Sequence, residues 1–381
     1  MNGPAYPAAR LVSARVLEYF ARRHADARER GEDIAGALPQ ADVLETLIDA
    51  AFWASLRREE GYVPKISLAF LPPEEAGDPL IFDGGLPLRP AALTKVAPAV
   101  ERSGIHLGVW PDRDELRVWG TTHAIPALCL VLEVAAPGLL VIKHHRGEEF
   151  GKFINVAVLE GDQIKVVDEK ASNLPPDCPA LVASMLGFDS PASWTDSNNV
   201  LVQLAVSMRA HRRGGSLLIV PPATDTWLES IVRPIPYPVS PPYADLAELN
   251  RQTPADAAAR RSWQEVVDRT VAAVAGLTAV DGATVLTTDL ELLAFGAKIT
   301  RRKGWAQVEQ VTVTEPIEGG APMLVHPVQL GGTRHLAAVQ FVHDQRDAVA
   351  LVASQDGRFT IFAWSSCESR VHAHRVEALL L

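Results

Sequence analysis

The chain has 381 residues, 48% of them hydrophobic and 22% charged, which suits two or three domains with sizeable cores. A formal net charge of -10 argues against broad nucleic-acid binding, and no apolar run approaches the ~18 residues of a membrane span. Cys129, Cys178 and Cys367 lack metal-ligand spacing, and residues 1–10 lack the features of a signal peptide, so a cytoplasmic protein without nucleic-acid or membrane partners is expected.

Residues 11–26 carry Val12, Val16, Leu17 and Phe20 at helical spacing. Asp42 and Glu45 have the form of a capping box, followed by Val43, Leu44, Leu47, Ile48, Ala51, Phe52 and Leu56 on a 3.6 period. Ile66, Leu68 and Phe70 alternate as in a strand, and Pro72-Pro73 stops it; residues 80–90 read as a loop with a short extended piece. From residue 104 the pattern turns to strands. Ile105, Leu107 and Val109 lead through the turn 111–114 to Leu116, Val118 and Gly120. Further strands are expected at 129–134, 139–143, 153–159 and 163–167. This first half, residues 1–196, therefore reads as an α+β domain with antiparallel strands. It shows no catalytic constellation. His144 and His145 are adjacent, so a strand sends their rings to opposite faces. Lys143, Arg146, Lys152 and Lys165 are candidates for an anion pocket, while His106 and His123 read as structural.

In residues 197–381 a helix over 198–213 ends at Gly214-Gly215, and 216–220 is a continuous apolar strand fit for the middle of a sheet. Residues 233–243 are proline-rich and read as a stiff loop. A long helix, 256–277, delivers the chain to Asp281-Gly282-Ala283, which opens a strand through Leu286, and residues 290–299 return. Arg301-Arg302-Lys303 is a basic cluster, either a solvated loop or a phosphate-facing one. Gly331-Gly332-Thr333 has the composition of a tight turn into a helix, with Thr333 as its N-cap and Arg334 and His335 in its first turn. Such a terminus presents free N–H groups and the positive end of a dipole, an anion site by itself. The strand 348–353, the turn Ser354-Gln355-Asp356-Gly357 and the strand 359–364 follow. Taken singly, the stretches at 281 and 331 each also read as a turn; together and in order they suggest a site.

These stretches resemble the diadenylate cyclase (DAC) domain. The resemblance rests on Asp281-Gly282-Ala283, on Gly332-Thr333-Arg334-His335 and on Ser354 in a strand-ending turn, and covers roughly residues 198–364. The first half resembles the sensor domain DACNV, which precedes DAC domains in some bacterial proteins. The resemblance implies a central mixed sheet flanked by helices and the joining of two ATP molecules into cyclic di-AMP, with release of two pyrophosphates and use of Mg²⁺ or Mn²⁺. It implies a homo-oligomer, because two half-sites must meet face to face, and a small-molecule ligand of unknown identity for the sensor. Asp281, with Gly282 and Ala283, would form the catalytic motif. Gly332, Thr333, Arg334 and His335 would cradle the triphosphate, and Ser354 would touch its outer phosphates. Asp281 and Asp356 would serve the metal. Two positions depart from the family: Leu336 stands where a second arginine is usual, and Gln355-Asp356 replaces a pair of glutamates. The departures leave a second reading, a DAC-fold nucleotide-binding sensor or scaffold with impaired catalysis.

Overall fold

Two helices open the chain, α1 (Pro7–Glu29) and α2 (Ala41–Ser55). Val12, Val16 and Phe20 of α1, with Leu44, Leu47 and Ile48 of α2, are fully or almost fully buried, as their spacing requires. The capping box does not form. Gln40 is the N-cap of α2 and makes no side-chain bond, because the helix starts at Ala41 and leaves Asp42 already inside it.

The computed structural model describes residues 5–31, 38–102, 104–113, 115–145, 153–168, 174–182, 197–252 and 257–381. It divides into two units, Met1–Val167 with Leu381, and Asp168–Leu380. Residues 174–182 thus go with the second unit, ahead of the division expected at 196/197. The bonds show why: the Asp168 N–H donates to the Pro316 carbonyl (3.0 Å), and the Asp177 carboxylate accepts from Ser365 Oγ (3.0 Å) and the Cys367 N–H (3.1 Å). The expected junction itself, residues 183–196, lies outside the described residues, as do Asp114, Arg146, Lys152 and Asp256.

The first unit is α+β. Its eight-stranded sheet comprises β1 (Ile66–Phe70), β2 (Leu80–Pro87), β3 (His106–Asp112), β4 (Glu115–Thr122), β5 (Leu130–Ala136), β6 (Leu139–His145), β7 (Phe153–Glu160) and β8 (Gln163–Val166), in the order β2-β4-β3-β1-β5-β6-β7-β8. All neighbours are antiparallel except β1 and β3. That pair is joined through β2 and the short helix α3 (Pro90–Val96), a crossover of the length parallel pairing needs. The loop expected at 80–90 is mostly strand β2, an edge strand whose exposed Leu80 and Ile81 carry no alternating signal. His144 meets the Tyr19 hydroxyl (3.0 Å), while His145 lies beside Phe153. Lys143 is buried and bonded to Glu133, so its charge is already answered and the anion pocket expected around it does not form on that residue.

The second unit is α/β in character. Its nine-stranded mixed sheet runs β10-β12-β11-β9-β15-β16-β17-β13-β14. The strands are β9 (Gly215–Val220), β10 (Tyr237–Tyr243), β11 (Ala283–Thr287), β12 (Leu292–Ala297), β13 (Val311–Thr314), β14 (Met323–Val325), β15 (Val349–Ala353), β16 (Phe359–Ser365) and β17 (Arg370–Arg375). Helix α4 (Ser197–Ala210) precedes β9; α5 (Asp245–Asn250) and α6 (Ala257–Leu277) lead to β11; α7 (Thr333–Asp344) leads to β15. Leu218 and Val220 of β9 share a core with Ala338, Val339, Phe341 and Val342 of α7. Leu217 and Ile219, also buried, alternate to the other face. The proline-rich stretch expected as a loop includes β10, held as an edge strand, where prolines cost no central ladder bonds.

Candidate functional site

Strand direction brings four segments to one end of the nine-stranded sheet. β9 and β11 are parallel and begin there; β12 and β15 run oppositely and end there. Gly215 faces Ala353 and Ala283 faces Ala297 in the register. Asp281, Lys298 and the turn 354–357 therefore lie at one end.

Asp281 precedes β11 with its side chain 90% exposed and ion-paired to Lys298. The Lys298 hydrogen bond and charge hold the carboxyl below the usual carboxylate range, and the Arg334 charge adds to the effect. Lys298 carries no motif of its own in the sequence. Its signal is the register: Ala297 pairs with Ala283, so the next residue emerges beside the motif, which the sequence alone does not tell.

Gly282, expected as part of the catalytic motif, serves the backbone. Its φ is +112°, and a Cβ there would stand 2.6 Å from the Gly296 carbonyl oxygen. The space that a missing side chain leaves is filled by β12 and not left for a ligand. Ala283 is buried in the core shared with α7. Both residues thus fix the backbone that carries Asp281; neither offers a reacting group.

Helix α7 begins at the same end. A Cβ on Gly214, just before β9, would stand 2.8 Å from Arg334 Nη1 and 3.4 Å from Gln355 Cγ, so the guanidinium rests against this glycine. Gly332, not Thr333, is the N-cap: its backbone is extended, and its carbonyl accepts from the N–H groups of His335 (3.0 Å) and Leu336 (3.3 Å). That places Thr333 first in the helix and leaves the leading N–H groups without intrahelical partners. Gly331, Gly332 and Thr333 are exposed, and a Cβ on Gly332 would meet nothing within 4 Å. Here, unlike at Gly282, the room is real.

His335 turns inward. It is buried, packs edge-on to Phe362 at 6.0 Å, and lies under Gly331, whose Cβ would stand 2.7 Å from Nδ1. Burial pushes its pKa down and favours the neutral ring. The residue braces the glycine turn and does not present a cation beside Arg334. Leu336, one residue on, is 36% exposed.

The turn after β15 is cross-linked. Ser354 Oγ donates to the Asp356 carboxylate, and Arg358 Nε lies 3.5 Å from it. The Ser354 bond, with further help from Arg358, holds the Asp356 carboxyl below its ordinary range. Arg209, in the last turn of α4, donates to the Gly357 carbonyl (3.0 Å) and pins the turn from behind. Asp281 and Asp356 differ as cation ligands: Asp281 is open to solvent, whereas Asp356 is shared between a hydroxyl and a guanidinium. Among the described residues no group of three or more His, Cys, Asp or Glu forms a metal cage. Mg²⁺ bound together with a nucleotide takes only one or two carboxylates, the phosphates supplying other ligands. Asp281 fits that role as a hard, ionised oxygen donor, provided Lys298 yields.

The basic cluster does not join this site. The Arg302 N–H donates to Asp344, the last residue of α7, at 2.7 Å. A helix of 12 residues spans ~18 Å, so Arg302 attaches at the far end from Arg334.

Residues 33–123 match a family described as the probable sensor domain DACNV. The match runs across α2 and on through β4, within the first unit. No curated protein matches the chain. Among the described residues no helix is long and apolar enough to cross a membrane.

Proposed function

We propose that the chain is a diadenylate cyclase of the cytoplasm, condensing two ATP into cyclic di-AMP and two pyrophosphates under control of its N-terminal sensor unit. The observation that carries this reading is that Asp281 and Arg334 lie at the same open end of the sheet, beside the exposed glycine turn of α7. The DACNV match in the first unit supports the sensing half of the reading.

The chemistry asks for positioning and charge, not a covalent nucleophile. The Thr333 and Arg334 N–H groups, at the positive end of α7, and the Arg334 guanidinium bind triphosphate oxygens. Asp281 orients the ribose 3′-hydroxyl and takes its proton as that oxygen attacks the α-phosphorus of the second ATP and the bond from that phosphorus to the departing pyrophosphate breaks. Ser354 reaches the outer phosphates. Asp281 would hold a Mg²⁺ or Mn²⁺ ion, which would supply neutralisation of the phosphate charge. Each subunit offers one half of this arrangement, so a second copy must face it, and activity depends on oligomerisation. A small-molecule ligand of the sensor unit sets how the halves meet.

The test is direct. Purified protein is incubated with ATP and Mg²⁺ or Mn²⁺, and the products are separated by chromatography. Cyclic di-AMP is expected from the wild type and falls by ~10²–10³-fold or more in Asp281→Asn. Specific observations favour a second reading, a nucleotide-binding sensor that does not cyclise. Leu336 stands exposed where a second cation is usual, and Lys298 occupies the Asp281 carboxylate. ATP binding without turnover under either metal would select it; absence of ATP binding would sink both.

A further inference from the structure

We infer a second ligand site in the C-terminal unit, a cleft at the carboxyl end of β9 that takes a small organic molecule through an oxyanion, phosphate or carboxylate. The cleft encloses about 370 Å³ and is lined by Val220, Trp227, Arg302, Trp305, Gln345 and Arg346, among others. That volume lies at the small end of the range for metabolite sites. It opens where β9 ends and β15 begins, at the opposite end of the sheet from Asp281. Carboxyl ends of parallel strands are where open α/β sheets commonly hold ligands.

The donors in this cleft are already oriented. The Arg302 and Arg346 guanidinium groups both lie over Trp305, at 5.2 and 5.3 Å, and Arg346 lies over Trp364 at 4.1 Å. Two rings thus hold the exposed Arg346 in place, so less side-chain freedom is lost when it binds. Arg302 also pairs with Glu229 at 2.6 Å, whereas Arg346 has no carboxylate partner among the described residues. A second, independent observation points the same way. Trp227 is 6% exposed and its indole N–H has no hydrogen-bond partner among the described residues. A buried N–H left unpaired is costly, and an acceptor atom in the cleft is one way to answer it.

The acids nearby leave the cleft receptive. Asp344 is fully buried and its carboxylate accepts from the Arg302 N–H (2.7 Å), Gln340 Nε2 (2.8 Å) and His343 Nδ1 (2.9 Å). Gln345 is committed to the Thr226 carbonyl (3.0 Å) and Ser230 Oγ (2.9 Å). Asp347, exposed at the rim, is the lining acid left to water. Arg301 and Lys303 flank Arg302 without acid partners among the described residues. This places the basic run 301–303 beside a cleft, a role that the Asp281 site does not give it.

The experiment uses the full chain and phenyl phosphate as probe, followed by intrinsic tryptophan fluorescence, with benzoate and inorganic phosphate as further arms. Saturable quenching by phenyl phosphate is expected in the wild type. Arg346→Gln weakens it about 10- to 100-fold, the loss of one charge-assisted contact, while Arg334→Gln leaves it unchanged. Trp227→Phe, which keeps the ring but removes the N–H, weakens it about 5- to 10-fold with the melting temperature as a check on folding. Benzoate binding tighter than phenyl phosphate assigns the carboxylate, and the reverse assigns the phosphate. Absence of saturable binding by every probe overturns the inference. So does equal affinity in wild type and a folded Arg346→Gln, which would make Arg346 only a counter-charge for the end of α7.

Discussion

The two ends of the nine-stranded sheet handle charge in opposite ways. At the Asp281 end the groups are backbone N–H atoms and exposed side chains, with Arg334 leaning on a glycine and Asp281 held only by Lys298. At the cleft end Arg302 and Arg346 are stacked on indole rings, and Glu229 and Asp344 are already bonded. On the proposed function the first arrangement would gain definition when phosphates and a metal arrive; the second is defined before any ligand does. An open end suits a reaction in which two large substrates must enter and leave, and a stacked one suits retention of a small molecule.

The largest expected effect tests what holds the open end in place. Gly282→Ala puts a Cβ into the Gly296 backbone at a φ of +112°. It should cost about 2–4 kcal/mol in urea denaturation, measured against wild type. A cost under about 1 kcal/mol would mean that β12 yields and that Gly282 serves the ligand after all. Next, Arg334→Gln should weaken ATP binding by about 10- to 100-fold in calorimetry. It should leave the cleft untouched; loss at both ends would show that they are not separate.

Acid should weaken the sheet that both ends share. Burial, with some help from His372, pushes the His374 pKa down to about 3. Between that value and its unfolded value near 6.5 the unfolded chain binds the extra proton. The contribution is therefore fully present above about pH 6.5 and is lost as pH falls toward 3, amounting to at most about 2 kcal/mol at pH 5. Denaturation midpoints at pH 7 and pH 5 measure the drop, and His374→Asn, which can still meet Thr314, should flatten part of it.

Smaller effects separate the glycines and the missing arginine. Gly332→Ser should raise stability by a few tenths of a kcal/mol, since serine is the better N-cap, yet lower ATP affinity by filling the open space before α7. Affinity unchanged by that serine would put the phosphates elsewhere. Leu336→Arg should lose about 0.3–1 kcal/mol of stability, a cation being unfavourable in the first turn of a helix. It should raise turnover if phosphate charge limits the rate; equal or lower turnover would show a site adapted to leucine.

Much of this organisation was legible in the sequence. Regular periods announced α1, α2 and β9, whereas strand direction and register, which bring Asp281 and the start of α7 to one end of the sheet, are read from the structure. What escaped was set by contacts between distant segments. Nothing local in Asp281-Gly282-Ala283 tells that Gly296 fills the space beside Gly282. His335 reads as a donor in the string Thr-Arg-His, but the helix phase turns it into the core beside Phe362. The edge strands β2 and β10 lacked alternation because their side chains face water or are proline. Arg302 looked like a phosphate ligand only until the length of α7 separated it from Arg334.

The contact between Gly282 and Gly296 also decides which partner moves when a cation comes to Asp281. Two backbones pressed together without side chains leave the Asp281 main chain little room to shift. Lys298, half-exposed on a stem of four methylenes, has that freedom. The exchange is then a lysine swinging out into water and recovering rotamer entropy while the carboxylate stays where it stands. On the proposed function, Lys298 would keep the anion's place between visits of a metal, and the glycine pair would make that place the same each time.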